Sequence, residues 1–303
     1  MISLFLEKDI ICFLGDSITA NGRWMAEVYQ ILRQKYKIKC YNCGVGGGMA
    51  KYASQYIQSE CLIYNPDYVV VMFGINDIRG SLYAKRNAKL PDLEQRKNEA
   101  INTCVEHYEE IMDQIVRSGA KPIICIPVPY DEITVSQEEN LMCQCALDAL
   151  ETELRSLAEK YGCPLIDFKK TFLPLYGSEG IICSDRVHPT DKGQHIMAQT
   201  FLYNLGEIEA IDYSSEFVFE EWNKKRFDAE QKLHLTNFVE FAVLFCDGWL
   251  QEKTNEEKKA IAQSRYDERE DKTDIFARAY RSYIETIDNR SKLLGEVVRL
   301  TKF

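Results

Sequence analysis

At 303 residues the chain has room for one large domain or two small ones, and its 46% hydrophobic and 28% charged residues suit a globular protein with a sizeable core. A net charge of −10 argues against a broad phosphate-neutralising surface, and so against general nucleic-acid binding. The first residues lack a basic region and a long apolar stretch, and no apolar run approaches the roughly 18 residues that span a bilayer, so we expect no signal peptide, no membrane span and a cytoplasmic location.

The first predicted element is a strand over 9–14, whose apolar run stops at Gly15-Asp16-Ser17. Apolar residues at successive positions mark a strand covered on both faces. Trp24, Val28, Ile31 and Leu32 form a helical stripe over 24–36. A short second strand, 38–43, runs into Gly44-Val45-Gly46-Gly47-Gly48 and is followed by a helix over 53–62. The third strand, 68–73, stops at Gly74-Ile75-Asn76-Asp77, and the polar stretch from 78 to about 96 reads as a long loop. A helix over 100–117 precedes a fourth strand, 122–128, closed by Pro127 and Pro129. After a loop over 130–137 come a helix over 138–161, a short fifth strand, 164–168, and an irregular stretch to 184. Asp185-Arg186-Val187-His188-Pro189 leads into a closing helix over 190–205, with Thr190 as its N-cap.

Alternating strands and helices at this spacing predict an α/β fold, an open three-layer α/β/α sandwich around a five-stranded parallel sheet. Five strands are too few to close a parallel barrel. Beyond a junction at 206–215 the pattern becomes helical, with helices expected over 216–249, broken near Phe227, then 255–269 and 274–300. The expected division is a sheet domain, 1–210, and a helical C-terminal extension, 211–303. Phe238, Phe241, Val243, Leu244, Phe245 and Trp249 make an apolar segment that packs on the sheet domain or in a bundle of its own; the alternative is a lid or a homo-oligomer interface.

Eleven cysteines are scattered along the chain. Cys12, Cys125 and Cys163 lie in or beside strands, as small buried apolar groups do. Cys40 and Cys43 form a C-x-x-C, and Cys143 and Cys145 a C-x-C. Neither has the second pair and the histidines of a zinc site, and the C-x-x-C ends a strand rather than opening a helix, so we expect no metal and a reducing compartment. The glycines at 44–48 follow the second strand at the wrong spacing for a dinucleotide fingerprint.

Ser17, Gly47, Asn76 and the Asp185/His188 pair all fall in loops at the carboxyl ends of strands, which share one rim in a parallel sheet. A serine is a weak nucleophile until a base takes its proton, and an unperturbed imidazole, with a pKa of about 6.5, can do so near neutral pH. Asp185 can orient that imidazole, while a bare glycine N–H at Gly47 and the amide of Asn76 can meet a developing oxyanion. Asp16 and Asp77 read as loop-holding carboxylates, and His107, His195 and His234 as helix residues. Arg79 and Arg186 are candidates to meet a polar or anionic substrate group, or else form surface ion pairs.

These residues stand in four short blocks that together resemble the SGNH hydrolases, also called the GDSL family. Gly15-Asp16-Ser17 resembles its nucleophile block, Asn42 to Gly47 its glycine block, Gly74-Ile75-Asn76-Asp77 its G-x-N-D block and Asp185-Arg186-Val187-His188 its D-x-x-H block. Each block is weak alone, and the order of the four carries the resemblance, which covers about 10–205. It implies a flavodoxin-like fold and ester hydrolysis through an acyl-enzyme. Ser17 would be the nucleophile, His188 the base and then acid, and Asp185 its orienter. The oxyanion hole would comprise the N–H groups of Ser17 and Gly47 and the Asn76 side chain, with Gly46 or Gly48 as the glycine in another register. No cofactor is implied. The expected partner is a small polar ester, carrying an acyl group as short as acetate, as on a carbohydrate; a lysophospholipase or thioesterase is the alternative within catalysis. A non-catalytic assembly protein using the helical extension is the alternative outside it.

Overall fold

The computed structural model describes residues 4–132, 143–177, 180–214, 216–239 and 253–302. Five strands, β1 (Ile10–Gly15), β2 (Lys39–Gly44), β3 (Tyr68–Met72), β4 (Lys121–Ile126) and β5 (Leu165–Asp167), form one parallel sheet in the order β2-β1-β3-β4-β5. The register sets Leu14 beside Cys43 and Val71, so the ends of β1, β2 and β3 come level. Helix α1 (Ser17–Asn21) follows β1 directly. It leads into α2 (Arg23–Lys35), and α3 (Ala50–Glu60), α4 (Leu93–Arg117), α5 (Gln144–Tyr161), α6 (Phe168–Phe172) and α7 (Asp191–Asn204) follow along the chain.

Side chains alternate across each strand, which divides the apolar residues between two cores. Ile11 and Phe13 face α2 and α7, where Phe13 and Phe201 surround Trp24, with Phe13 edge-on at 5.1 Å between ring centroids. Cys12 and Leu14 face the other way, toward Ala53, Ile111 and Leu150 of α3, α4 and α5. The same alternation separates the C-x-x-C pair: Cys40 belongs to the first core and Cys43 to the second, so the pair cannot act as one site. Thr190 caps α7 as expected, its Oγ1 accepting from Gly193 N–H at 3.2 Å.

Several boundaries differ from those expected. Helix α4 begins at Leu93 rather than at 100, and two short 3-10 turns, Gly80–Tyr83 and Lys85–Asn87, replace much of the long loop. The first turns of α4, Leu-Glu-Gln-Arg-Lys-Asn-Glu, are good helix formers but carry no apolar stripe to announce them. Helices α1 and α6 are too short to show a period. Among the described residues, the extension comprises α8 (Glu221–Asn237), unbroken at Phe227, then α9 (Asn255–Asp267), α10 (Ile275–Thr286) and α11 (Arg290–Leu300). A 3-10 turn, Ile287–Asn289, divides what reads as one last helix. The apolar positions Phe241, Val243, Leu244, Phe245 and Trp249 lie outside the described residues; Phe238 packs with Tyr280, Tyr283 and Ile287 in a small core of the extension. Among the described residues, no helix is long and apolar enough to cross a membrane.

Candidate active site

A strand order of 2-1-3-4-5 opens a crevice between the carboxyl ends of β1 and β3, where the chain direction across the sheet reverses. Ser17 follows β1 at the first position of α1, Asn76 follows β3, and the loop before α7 brings in Asp185 and His188. Ser17 Oγ lies 2.7 Å from His188 Nε2, and His188 Nδ1 lies 2.7 Å from Asp185 Oδ2. The second carboxylate oxygen of Asp185 accepts the backbone N–H groups of Val187 and His188, each at 3.0 Å. Partial burial opposes the Asp185 charge, but those two N–H bonds and the His188 ring outweigh it and hold the carboxyl below its ordinary value. Such an anion fixes the imidazole with Nδ1 protonated and Nε2 free to accept from Ser17.

The glycine loop completes the rim. Gly44 ends β2 against α1 with no room for a side chain: a Cβ there would stand 2.4 Å from the backbone nitrogen of Ala20. A turn from Val45 to Gly48 follows, anchored by Val45 N–H to Gly15 O at 2.9 Å and closed by Gly48 N–H to Val45 O at 2.9 Å. Gly48 N–H is therefore occupied within the turn. Gly47 takes φ +70°, which a glycine adopts without strain. Asn76 Nδ2 donates to Gly48 O at 3.0 Å, joining the loops after β2 and β3; an amide nitrogen carries two hydrogens, so one remains for another acceptor.

Two buried carboxyls brace these loops. Asp77 accepts Ala50 N–H at 2.8 Å and Gly74 N–H at 3.1 Å, and burial pushes its pKa up to about 6. Asp16 caps α1, accepting Ile18 N–H at 2.9 Å. Burial, with the nearby Asp77 charge, pushes Asp16 up to about 7 from its ordinary 3.8. Between those values the folded protein holds a proton that the unfolded chain does not, so this group makes stability fall as pH rises through the window. Asp16→Asn keeps an oxygen for the Ile18 N–H and removes the ionisation. Melting curves from about pH 5 to about pH 8 should show the variant gaining several degrees on the parent at the alkaline end. Parallel curves across that range would refute this assignment.

The arginines take different places. Arg79 is exposed after Asn76, at φ +51°. Arg186 is only 8% exposed: its Nε donates to Asp131 O at 2.6 Å and its guanidinium lies over the Tyr130 ring, 4.6 Å from the centroid. It ties the histidine loop to the loop after β4, a contact that proximity to His188 in sequence does not reveal. His195 faces Glu27 in the core, His107 pairs with Glu110 on α4, and burial pushes His234 down to about 4. Among the described residues, one group has metal-ligand spacing: the buried thiols of Cys12, Cys43 and Cys61, with sulfurs within 4.8 Å of one another. Burial drives the Cys12 thiol well above its ordinary range, whereas at Cys61 the same burial is overcome by the hydrogen bonds from Cys12 and Cys43, which hold the thiol below it.

The family model of the GDSL-like lipase/acylhydrolases matches residues 11–201. An acetylxylan esterase of Geobacillus stearothermophilus is 23% identical over 218 residues, covering 65% of this chain and 93% of its own. An acetylxylan esterase of Xylanibacter ruminicola is 23% identical over 62% of this chain, although the match spans 41% of that longer protein. Among solved structures, a gut microbial diltiazem-metabolizing enzyme shares the fold with a TM-score of 0.72 at 14% identity, over 99% of this chain and 97% of its own. That likeness includes the C-terminal helices. The acetylxylan esterase Axe2 of Geobacillus stearothermophilus gives 0.53 at 20% identity, over 70% of this chain and 98% of its own. The match across the sheet domain, on a rim where serine, histidine and aspartate meet, shows that this chain belongs to the GDSL-like lipase/acylhydrolase family and is a carboxylic ester hydrolase.

Proposed function

We propose that the protein is a serine esterase that removes short acyl groups, acetyl foremost, from a polar alcohol such as an O-acetylated carbohydrate. The observation that carries this reading is the continuous Ser17–His188–Asp185 relay, with both contacts at 2.7 Å. Ser17 Oγ attacks the ester carbonyl while His188 Nε2 takes its proton. The oxyanion settles against the N–H groups of Ser17 and Gly47 and the Asn76 amide, preorganised donors of the kind worth several kcal/mol, about 3–4 each. His188 then gives its proton to the leaving alcohol. Water, deprotonated by His188, attacks the acyl-enzyme, and the second tetrahedral intermediate collapses to free acid and Ser17. Asp185 stabilises the imidazolium in both halves.

The acetyl preference draws support from the names of both curated relatives and from exposed Arg79, Lys85 and Arg86 in the loop that follows Asn76. In the same reading, 1–210 is the hydrolase unit and 211–303 an attached helical unit. A series of p-nitrophenyl esters from acetate to decanoate, run beside acetylated xylo-oligosaccharides, tests the substrate class. We expect kcat/KM to fall at least about tenfold beyond butyrate, because an acyl chain too long for a short-acyl site must clash with its walls or shift the carbonyl away from the oxyanion donors. A faster decanoate would replace this reading with a lipase or long-chain thioesterase.

A further inference from the structure

The helical extension reaches the catalytic loops along one line. Phe227 of α8 stands 3.5 Å from where a Cβ on Gly22 would lie, at the end of α1. One turn on, Gln231 Nε2 donates to Asn21 O at 2.9 Å. His234 is buried beside the backbone of Gly44. Just past α8, the Phe238 ring covers Gly46: a Cβ on that glycine would come within 2.8 Å of Phe238 Cδ2 and 3.4 Å of Cγ. Phe238 is backed in turn by Phe276 of α10, at 5.6 Å between centroids.

The other side of α8 is fixed to the sheet domain. Asn223 Nδ2 donates to Ala26 O at 2.8 Å, and Arg226, wholly buried, pairs with Glu230 and lies over Tyr29, 4.8 Å from its centroid. Tyr29 OH also donates to Lys302 O at 2.6 Å, and Arg290 of α11 bonds Glu60 of α3 at 2.5 Å. The extension is thus tied to α2 and α3, the helices that flank β2 in the chain, and touches the loop between β2 and α3 at its glycines.

Three successive glycines have more backbone freedom than any other tripeptide, and an oxyanion donor acts only when its direction is set in advance. Val45 and Gly48 are held by hydrogen bonds to Gly15 and Asn76. Gly46, between them, has an aromatic ring against it. We propose that the extension is a working part of the hydrolytic site, with Phe238 as a positioning residue that holds the Gly46–Gly47 backbone so that Gly47 N–H points at the oxyanion. This rests on the serine-esterase reading above.

The test uses the full chain. Phe238→Ala should lower kcat for p-nitrophenyl acetate about tenfold, short of the roughly 10²–10³ lost when an oxyanion donor is removed outright, with KM within about twofold. The affinity of a trifluoromethyl ketone, which forms a hemiketal oxyanion on Ser17, should fall by the same factor, whereas simple loss of fold would reduce the active fraction and leave that affinity unchanged. Phe238→Leu should recover most of the loss, and serves as the primary variant if Phe238→Ala does not fold. Gly46→Ala should be more harmful in the parent than in a Phe238→Ala background, since the ring is what its methyl meets. Parent-like kcat and inhibitor affinity in Phe238→Ala, or, if that variant does not fold, a Gly46→Ala effect of the same size in the parent and in a Phe238→Leu background, would overturn the proposal. Ser17→Ala separates the two readings. If it is inactive while the Phe238 variants behave as the parent, only the positioning role fails; if it stays active, the serine-esterase reading fails and the positioning role with it.

Discussion

Ser17→Ala is expected to lower kcat for p-nitrophenyl acetate by about 10⁴-fold or more while leaving the melting temperature within about 2 °C of the parent. The hydroxyl makes one side-chain contact among the described residues, to His188 Nε2, and α1 keeps its Asp16 cap without it. The fold therefore loses little, whereas the reaction loses its covalent intermediate. His188→Ala should fall to a similar level, and the double variant should be scarcely worse than either single one, because a nucleophile and its base fail as one unit. What survives comes from the oxyanion donors and substrate binding. Steady-state kinetics on the three variants, with circular dichroism to confirm folding, decide the matter. Activity in Ser17→Ala above about one percent of the parent would remove Ser17 from the role of nucleophile.

The second large effect concerns stability, away from the reacting atoms. Glu27 of α2 and His195 of α7 are 1% and 4% exposed, and His195 Nδ1 lies 2.9 Å from Glu27 Oε1. Gln199 Nε2 donates to the same oxygen at 2.9 Å. The Glu27 hydrogen bond is the main cause raising the His195 pKa above 6.5; burial opposes it, and the Asp212 charge adds to the rise. A raised histidine makes its contribution fully below the unfolded value and loses it as pH climbs through the folded value. The parent should therefore melt progressively lower as pH rises from 6.5 through that folded value. Below the folded value, Glu27→Gln removes the carboxylate that faces the charged His195 ring, a loss of about 3–5 kcal/mol, or about 5–8 °C in a protein of this size. Its melting temperature should also lose this part of the pH dependence. A Glu27→Gln variant melting within about 2 °C of the parent, or keeping the parent's pH slope, would show that the pair is not the stabilising contact of the α2–α7 interface.

The sheet was readable because each strand carries its own evidence. The run Tyr68–Phe73 is buried at every position and is followed by Gly74, so one short window contains both the strand and its stop. The candidate residues Ser17, Gly47 and Asn76 were readable for a related reason: each stands in a short block just after an apolar strand, whereas Asp185 and His188 stand in a block of their own before α7. Helices α1 and α6 were missed because five residues do not complete two turns, and the start of α4 because a solvated first stretch has no apolar face to betray it. Arg186 lies two residues before His188, a place that suggests a substrate contact. Its burial against Tyr130 and Asp131 depends on a loop more than fifty residues away in the chain.

By itself, then, the sequence determined the elements, the α/β class and the chemical identity of Ser17, Asn76, Asp185 and His188, because those properties reside in local patterns of side-chain size, polarity and backbone freedom. The tertiary structure alone decided the distances. Ser17 and His188 are 171 residues apart in the chain and 2.7 Å apart in space, a closure made by the level ends of parallel strands. It also committed the Gly48 N–H to Val45 O, since the turn that occupies it exists only once Val45 is held by Gly15. And it placed α8 and Phe238 against Gly22 and Gly46, a contact between segments that share no local signal, because it arises from packing two surfaces together.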